Sequence, residues 1–230
     1  MKKAVVVGGS SGIGLAFAIH IAGMGFHVII IDKEPPGTPL STADFTHFQS
    51  DLLYFDEEFF QKLASDDEIC LLFISAGFGR VAPFDCIFDI EIDNLFKVNS
   101  IAIARIVRAF YHRIRNQNKF MCGVMGSFAG LVNSPLFSVY SATKAAVFRL
   151  IESINTELSV NKIENRILNI SPGHLSGTKF DNENQNLDLL GNLPSEIFNH
   201  LSNRCELFIP DYEKTYKNVL IEYQKLYSTQ

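Results

Sequence analysis

A tyrosine and a lysine four residues apart are the first pair in this sequence whose types and spacing are suited to catalysis. Tyr140 and Lys144 lie in a stretch of helical periodicity, where residues four apart face the same side of the helix. An ammonium group near a phenol favours the phenolate and lowers the tyrosine pKa from about 10. Such a tyrosine exchanges a proton with a substrate oxygen near neutral pH. The spacing is common by chance, and the alternative is an ordinary exposed helix pair.

A serine 13 residues before Tyr140 is the third candidate for the same site. Ser127 ends a predicted strand, and the carboxyl ends of parallel strands face the ligand crevice. A hydroxyl group there can polarise a carbonyl or stabilise an alkoxide. Residues 125–130 lack the Gly-x-Ser-x-Gly pattern of a hydrolase nucleophile, which disfavours a hydrolase.

An asparagine, Asn99, interrupts the long helix predicted after the fourth strand. Asparagine is a poor helix former, so its place in mid-helix needs a reason. Two reasons are open. Asn99 kinks the helix and holds a water molecule next to Lys144, or it makes a plain buried hydrogen bond.

A glycine-rich turn joins the first predicted strand to the first predicted helix. Gly8, Gly12 and Gly14 permit a tight turn there, and the free N–H groups of the helix suit a pyrophosphate. Asp32 ends the next strand, 24 residues after Gly8, where a carboxylate binds the adenosine ribose and repels a 2′-phosphate. Ser11 adds no positive charge, so we favour NAD over NADP. A tight turn without a ligand is the alternative.

Two more residues bear on the cofactor. Lys33 follows Asp32, and because a flexible cation can hold a phosphate, NADP stays open. Asp51, after the third predicted strand, either meets the adenine edge or simply caps a helix.

Composition narrows the class of protein. The 230 residues are 47% hydrophobic, which suits one domain with a sizeable core. A net charge of −5 excludes a strongly basic nucleic-acid binder, and the apolar runs are too short to span a bilayer. The four cysteines form no Cys-x-x-Cys pair, so we expect neither a metal site nor a disulfide framework. We therefore expect a cytoplasmic protein with no nucleic-acid or membrane partner.

Strands and helices alternate along the chain. Short β-rich runs are predicted at residues 3–7, 27–31, 46–49, 69–75, 119–125, 166–170 and 207–209. Helical patterns are predicted at residues 15–25, 56–65, 88–116, 138–160 and 211–226. This alternation predicts an α/β fold, a Rossmann-type doubly wound parallel sheet of about seven strands with helices on both faces, in a single domain over residues 1–230.

The pattern breaks at residues 174–192, which are rich in Asn, Asp and Gly. We interpret residues 174–204 as a substrate loop or lid over the site, with a solvated insertion as the alternative. The expected pocket walls are Phe78, Gly79, Arg80, Phe128, residues 131–137 and the loop that begins at His174.

In combination these residues resemble the short-chain dehydrogenase/reductase family over about residues 3–180. The family's cofactor turn corresponds to residues 7–14, its Asn-Asn-Ala-Gly motif in part to residues 74–77, and its Pro-Gly to Pro172 and Gly173. The resemblance implies four catalytic residues, Asn99, Ser127, Tyr140 and Lys144. It implies a cofactor site formed by Gly8, Ser10, Ser11, Gly12, Ile13, Gly14, Asp32, Asp51, Leu52, Ala76, Gly77, Tyr140, Lys144, Pro172, Gly173 and Thr178.

The resemblance also implies a reaction, in which hydride passes between NAD(P)(H) and a carbonyl or alcohol of a small organic substrate. Tyr140 is then the general acid/base, and Lys144 lowers its pKa and binds the nicotinamide ribose. Ser127 positions the substrate oxygen, and Asn99 supports a proton-relay water. The family further implies a homodimer or homotetramer, paired through the helices near residues 88–116 and 138–160.

Three departures place the sequence in a divergent branch of that family. Val7 replaces a threonine, Ile74 and Ser75 replace two asparagines, and residues 207–210 stand where the family commonly has Asp-Gly-Gly. Two other functions remain open. One is a catalytically silent nucleotide-binding or regulatory protein, and the other is a sugar-nucleotide epimerase or dehydratase, for which 230 residues leave little room.

Overall fold

Runs of valine, isoleucine and leucine build a parallel sheet that is covered on both faces. The computed structural model describes residues 2–37, 39–116, 119–178 and 185–228. Its strands are β1 (Lys3–Val7), β2 (His27–Asp32), β3 (Phe45–Gln49), β4 (Ile69–Ile74), β5 (Met121–Met125), β6 (Ile167–Ile170) and β7 (Leu207–Phe208). All neighbours pair in parallel, in the order β3-β2-β1-β4-β5-β6-β7. The predicted doubly wound fold in a single domain is confirmed.

Helices connect the strands. They are α1 (Gly12–Ala22), α2 (Glu57–Ala64), α3 (Asp89–Phe96), α4 (Ile103–Asn116), α5 (Ser138–Val160), α6 (Leu193–Ser202) and α7 (Lys217–Ser228). Two π-helical segments, Lys97–Ala102 and Tyr212–Tyr216, lead into α4 and α7. Short 3-10 turns lie at Leu52–Tyr54, Phe84–Cys86, Phe128–Gly130 and Leu187–Leu190. Within the described ranges, no helix combines the length and the apolar character needed to cross a membrane.

Two apolar cores lie on opposite faces of the sheet. One packs α2, α4 and α5 against it and includes Phe60, Phe110 and Ile151. The other packs α1 and α6 and includes Phe17 and Ile197. Because helices cover both faces of the sheet, the strands are nearly continuous apolar runs. The polar residues of the candidate site follow the carboxyl ends of the strands.

The helices depart from the sequence-based prediction in four places, one of them the predicted closing helix, where the π-helical segment Tyr212–Tyr216 precedes α7. α1 begins at Gly12 rather than at residue 15, so Gly12 and Gly14 lie inside the first helical turn and Gly8 precedes it. The helix predicted over residues 88–116 is two α-helices joined by a π-helical segment. Within the predicted lid, α6 buries Leu193, Pro194 and Ile197 and is part of the core. Residues 179–184 of that predicted lid lie outside the described residues.

Candidate active site

The carboxyl ends of the strands bring the predicted site residues to one edge of the sheet, where the glycine-rich turn follows β1. Gly8 has a φ of +80°, and a Cβ atom there would lie 2.4 Å from the Ala76 backbone nitrogen. A Cβ atom at Gly14 would lie 2.1 Å from the Gly8 carbonyl oxygen. These two glycines are therefore required by the close packing of the chain on itself. The Ser75 and Ala76 amides donate to the Val7 carbonyl oxygen at 2.7 and 3.0 Å and brace the turn against the end of β4.

The N-terminus of α1 forms a cradle for an anion. Ser10 is 2% exposed, and its hydroxyl oxygen has no hydrogen-bond partner among the described residues. The Gly12 amide donates to the Gln185 side-chain oxygen at 2.9 Å. Thr178 packs nearby, since a Cβ atom at Gly12 would lie 3.7 Å from the Thr178 Cβ atom. The buried Ser10 hydroxyl has no partner in the part of the chain that the structure describes, and the Gly12 amide already binds a side-chain oxygen. Both groups are suited to bind the phosphate oxygens of a dinucleotide.

The acidic residues beside the cradle are fixed by backbone amides. One carboxylate oxygen of Asp32 accepts from the Ser10 amide at 3.0 Å, and the other from the Glu34 amide at 3.4 Å. The Asp32 negative charge therefore lies beside the glycine turn, as the sequence predicted. Asp51 accepts from the Leu53 amide at 3.0 Å and caps the turn that contains Leu52. Its contact with an adenine edge stays a prediction.

Ser127, Tyr140 and Lys144 converge beneath the same edge of the sheet. Tyr140 and Lys144 are 9% and 3% exposed, and the Lys144 Nζ atom lies 5.8 Å from the centre of the Tyr140 ring. The Ser127 hydroxyl is hydrogen-bonded to the Tyr140 phenol and accepts from the Ala129 amide at 3.2 Å. The Lys144 ammonium donates to the Met125 carbonyl oxygen at 2.9 Å. The structure thus brings together one group from the turn that follows β5 and two groups from α5.

Burial sets the acidities in this cluster. It raises the pKa of the Tyr140 phenol, and the hydrogen bond from Ser127 partly opposes that increase. It lowers the pKa of the Lys144 ammonium to about 8. The prediction that Lys144 lowers the pKa of Tyr140 is therefore wrong for this structure. The desolvation of the phenol is the larger effect, and the ammonium is directed at a backbone carbonyl rather than at the phenol oxygen.

Asn99 lies in the π-helical segment and is fully buried. Its side-chain oxygen accepts from the Phe78 amide at 3.0 Å, and its side-chain nitrogen donates to the Phe78 carbonyl oxygen at 2.8 Å. That nitrogen also reaches the Thr143 hydroxyl at 3.2 Å. A Cβ atom at Gly77 would lie 3.2 Å from the Asn99 oxygen and 3.4 Å from Lys144 Nζ. Asn99 therefore fixes the Phe78 backbone beside Lys144. Its support of a proton-relay water stays a prediction.

The loop after β6 closes the site from the other side. The Pro172 carbonyl oxygen accepts from the Phe128 amide at 2.8 Å, which ties this loop to the end of β5. Gly173 touches the side chain of Tyr216 from the C-terminal segment. The predicted wall residue Arg80 forms an ion pair with Glu91 at 3.1 Å. Its guanidinium is thus already engaged.

Two residues at this edge were missed from the sequence. Gln185 lies in the Asn-rich segment, where no pattern distinguishes it from its polar neighbours. Tyr216 lies on the predicted closing helix, and its aromatic character is a weak signal because aromatic residues on helices are usually packing residues. Only the fold brings the two residues to the glycine turn and to Gly173.

Comparison with known proteins decides the family. A family model of the short chain dehydrogenases matches residues 2–188. The chain belongs to the short-chain dehydrogenase family.

Solved structures of this family share the fold. A short-chain dehydrogenase from Sphingobium yanoikuyae in complex with NADPH superposes with a TM-score of 0.78 at 21% identity, covering 100% of this chain and 96% of that one. A short chain dehydrogenase/reductase from Burkholderia phymatum in complex with NAD gives 0.77 at 20% identity, covering 97% and 92%. These two relatives therefore carry different cofactors on the same fold.

The curated relatives are longer than this chain, which covers only part of their length. This chain is 25% identical to a very-long-chain 3-oxoacyl-CoA reductase of Emericella nidulans over 169 residues, covering 67% of this chain and 49% of the relative. It is 27% identical to the uncharacterized oxidoreductase YbbO of Escherichia coli K12, covering 80% and 70%. The chain thus spans about half the length of the first of these relatives.

Proposed function

We propose that this short-chain dehydrogenase is an NAD-dependent oxidoreductase that interconverts a carbonyl and an alcohol of a small organic substrate. The observation that carries the proposal is the hydrogen-bonded pair of Ser127 and Tyr140, with the Lys144 ammonium buried beside the phenol ring. This cluster lies at the same edge of the sheet as the anion cradle of the glycine turn. Such an arrangement suits proton transfer at a substrate oxygen next to a bound dinucleotide.

The pKa of Tyr140 determines what the phenol does at neutral pH. Because burial raises that pKa, the phenol is protonated and is ready to donate a proton to a carbonyl oxygen. With substrate bound, the Ser127 hydroxyl would turn from the phenol to the same oxygen and hold it in place. The Lys144 ammonium, held by the Met125 carbonyl oxygen, would bind the nicotinamide ribose. The nicotinamide, when bound, supplies or accepts the hydride.

The cofactor preference follows from Asp32. Its fixed carboxylate, held by the Ser10 and Glu34 amides, suits the two hydroxyls of an adenosine ribose and repels a 2′-phosphate. Ser10, Gly12 and Thr178 would hold the pyrophosphate, while Lys144 and Gly173 would face the nicotinamide half. Described residues 174–178 and 185–190 would cover the bound molecule.

The decisive experiment removes the phenol hydroxyl. Tyr140→Phe is expected to reduce the rate of hydride transfer about 100-fold or more, with NAD affinity nearly unchanged. Nicotinamide absorbance measures turnover on a panel of carbonyls and alcohols, and calorimetry measures NAD binding. Tyr54→Phe is the matched control, since Tyr54 is 82% exposed. Full activity of Tyr140→Phe would reject Tyr140 as the acid/base.

A nucleotide-binding protein without turnover is the second candidate. The observation that favours it is the burial of Tyr140, which raises the pKa of the phenol and so disfavours its ionisation at neutral pH. The same panel separates the two functions, because NAD binding without oxidation or reduction of any panel member would favour the silent protein.

A further inference from the structure

The C-terminal segment contributes a tyrosine to the edge of the sheet where the proposed reaction takes place. Tyr216 ends the second π-helical segment, directly before α7. Its ring packs on the Phe128 ring, with the two centres 4.4 Å apart and the planes inclined by 41°. Phe128 follows Ser127 in sequence, so the Tyr216 ring packs on the chain neighbour of the residue proposed to hold the substrate oxygen.

The hydroxyl-bearing edge of the Tyr216 ring lies against Gly173. A Cβ atom added to Gly173 would lie 1.6 Å from the Tyr216 hydroxyl oxygen, 2.2 Å from Cζ and 2.8 Å from Cε1. These are the three atoms nearest to the added Cβ atom, so the Tyr216 side chain excludes any side chain at position 173. Gly173 does not have a positive φ, and its backbone conformation therefore accepts an alanine. The glycine is required by the tyrosine.

The helix that follows Tyr216 adds little anchorage of its own. None of the described side chains of α7 is fully buried, and Val219 and Leu226 are 48% and 69% exposed. Tyr223, seven residues after Tyr216 and so on the same face of the helix, lines a cavity of about 200 Å³ beside Leu131. This face of the segment therefore covers the loop that follows β5.

We propose that Tyr216 is a positioning residue that sets the substrate class, admitting carbonyl compounds with a small substituent and excluding those with a bulky one. The inference rests on the proposed function, because it places the reacting carbonyl beside Ser127. The ring fills the space between Phe128 and Gly173, so a substrate has no room to extend in that direction. The phenol hydroxyl edge, which contacts Gly173, is a minor part of the filled volume.

The first test measures kcat/KM of a matched ketone panel, from butanone to phenyl ketones, in the wild type and three variants. Tyr216→Ala is expected to raise the ratio of phenyl ketone to butanone kcat/KM at least 10-fold, mainly through a lower KM for the bulky substrate. Tyr216→Phe keeps the ring and is expected to keep the wild-type ratio. Tyr212→Ala, which removes a tyrosine from the same π-helical segment, is the matched control.

A purely structural role for Tyr216 predicts a different result. If the ring only anchors α7, Tyr216→Ala lowers kcat/KM for all ketones by the same factor and leaves the ratio unchanged, which would overturn the proposal. If the wild type reduces none of the panel, the proposed function fails and the specificity role fails with it. Turnover with an unchanged ratio contradicts the specificity role alone.

The second test examines the contact without any turnover. Gly173→Ala is expected to lower the Tm by about 5 °C, because the new methyl group displaces the Tyr216 ring. In the Tyr216→Ala background the same change is expected to lower the Tm by less than about 1 °C. Equal losses in the two backgrounds would show that Gly173 and Tyr216 do not pack together, and the proposal would fall.

Discussion

Lys144 is a cation in a place where water does not reach, and its pKa makes the stability of the fold depend on pH. Burial lowers that pKa from an ordinary value of 10.5 to about 8. Between these pH values the unfolded chain binds more protons than the folded chain, so the free energy of unfolding rises with pH. Below pH 8 the folded protein has to bury the charged form.

Comparison with Lys144→Met isolates this effect. From pH 7 to pH 9, the free energy of unfolding of the wild type is expected to rise by about 1 kcal/mol relative to the variant, measured by urea denaturation. Burial raises the pKa of Cys122 to about 12, which reduces stability above pH 9 in both proteins and cancels in the difference. Parallel pH profiles would contradict the lowered pKa of Lys144.

Asp32 tests the cofactor preference at the level of one charge. Asp32→Asn keeps an oxygen that accepts from the Ser10 amide but removes the charge that repels a 2′-phosphate. The variant is expected to shift the NADP to NAD ratio of kcat/KM about 10-fold towards NADP. Lys33→Ala is the companion variant for the neighbouring cation. A wild type that already prefers NADPH would refute the interpretation of Asp32.

Gln185 is a competitor that the chain supplies itself. Its oxygen holds the Gly12 amide at 2.9 Å, where a phosphate oxygen is expected to bind. Gln185→Ala is expected to tighten NAD binding several-fold, because the ligand no longer displaces an intramolecular hydrogen bond. Calorimetry of this variant beside Gln224→Ala, on the exposed surface of α7, measures the change. Weaker binding by Gln185→Ala would mean that the glutamine helps to hold the cofactor.

At the scale of elements, the π-helical segment Lys97–Ala102 shows what a sequence pattern can and cannot predict. The pattern indicated one long helix with an unfavourable asparagine inside it. A π-helical segment interrupts the helix there, and Asn99 makes the buried hydrogen bonds of the alternative interpretation, while a kink and a bound water stay predictions. The type of distortion was not predictable, because it depends on the Phe78 backbone that Asn99 binds from a different part of the chain. Widened helical turns of this kind are frequent at functional sites.

Arg113 shows the same limit on α4. Cations in the last turn of a helix commonly interact with the helix dipole. The Arg113 guanidinium is instead buried and donates to the carbonyl oxygens of Ala64, Asp66, Asp67 and Ile69. It therefore joins the end of α2 to the start of β4. A contact between residues more than 40 positions apart leaves no local trace in the sequence.

Removing that junction is expected to be costly. Arg113→Met leaves several buried carbonyl oxygens without a donor, and we expect a loss of about 2–4 kcal/mol in the free energy of unfolding. Arg115→Met, two residues further along the same helix and exposed, is expected to change it by less than about 0.5 kcal/mol. Equal stabilities in urea denaturation would show that water replaces the arginine at no cost.

Strand positions were predicted more closely than helix positions, for a physical reason. Strands such as β1 are buried on both faces and appear as short apolar runs, so their positions were predicted within about two residues. α6 was missed because its four buried residues follow an Asn-rich stretch that suggested a loop. The clustering of Ser127, Tyr140 and Lys144 followed from their spacing and from the family resemblance, whereas the acidities depended on burial, which the sequence does not reveal.

At the scale of the whole molecule, we expect assembly into a homodimer or homotetramer. The expectation rests on family resemblance and on large exposed apolar side chains near the expected interface, such as Ile90 and Ile101 at 60% and 45% exposure. Size-exclusion chromatography with light scattering measures the mass in solution. A monomer at micromolar concentration would contradict the expectation.

The division of labour between sheet and C-terminal segment has an evolutionary consequence. The groups proposed for proton transfer lie in α5 and in the turn that follows β5, against the sheet. Tyr216 instead precedes a helix whose described side chains are all at least partly exposed. Mutations in that segment can therefore accumulate without endangering the rest of the protein. If Tyr216 selects the substrate, related proteins can acquire new substrates through substitutions in this C-terminal segment. The groups proposed for proton transfer then stay unchanged.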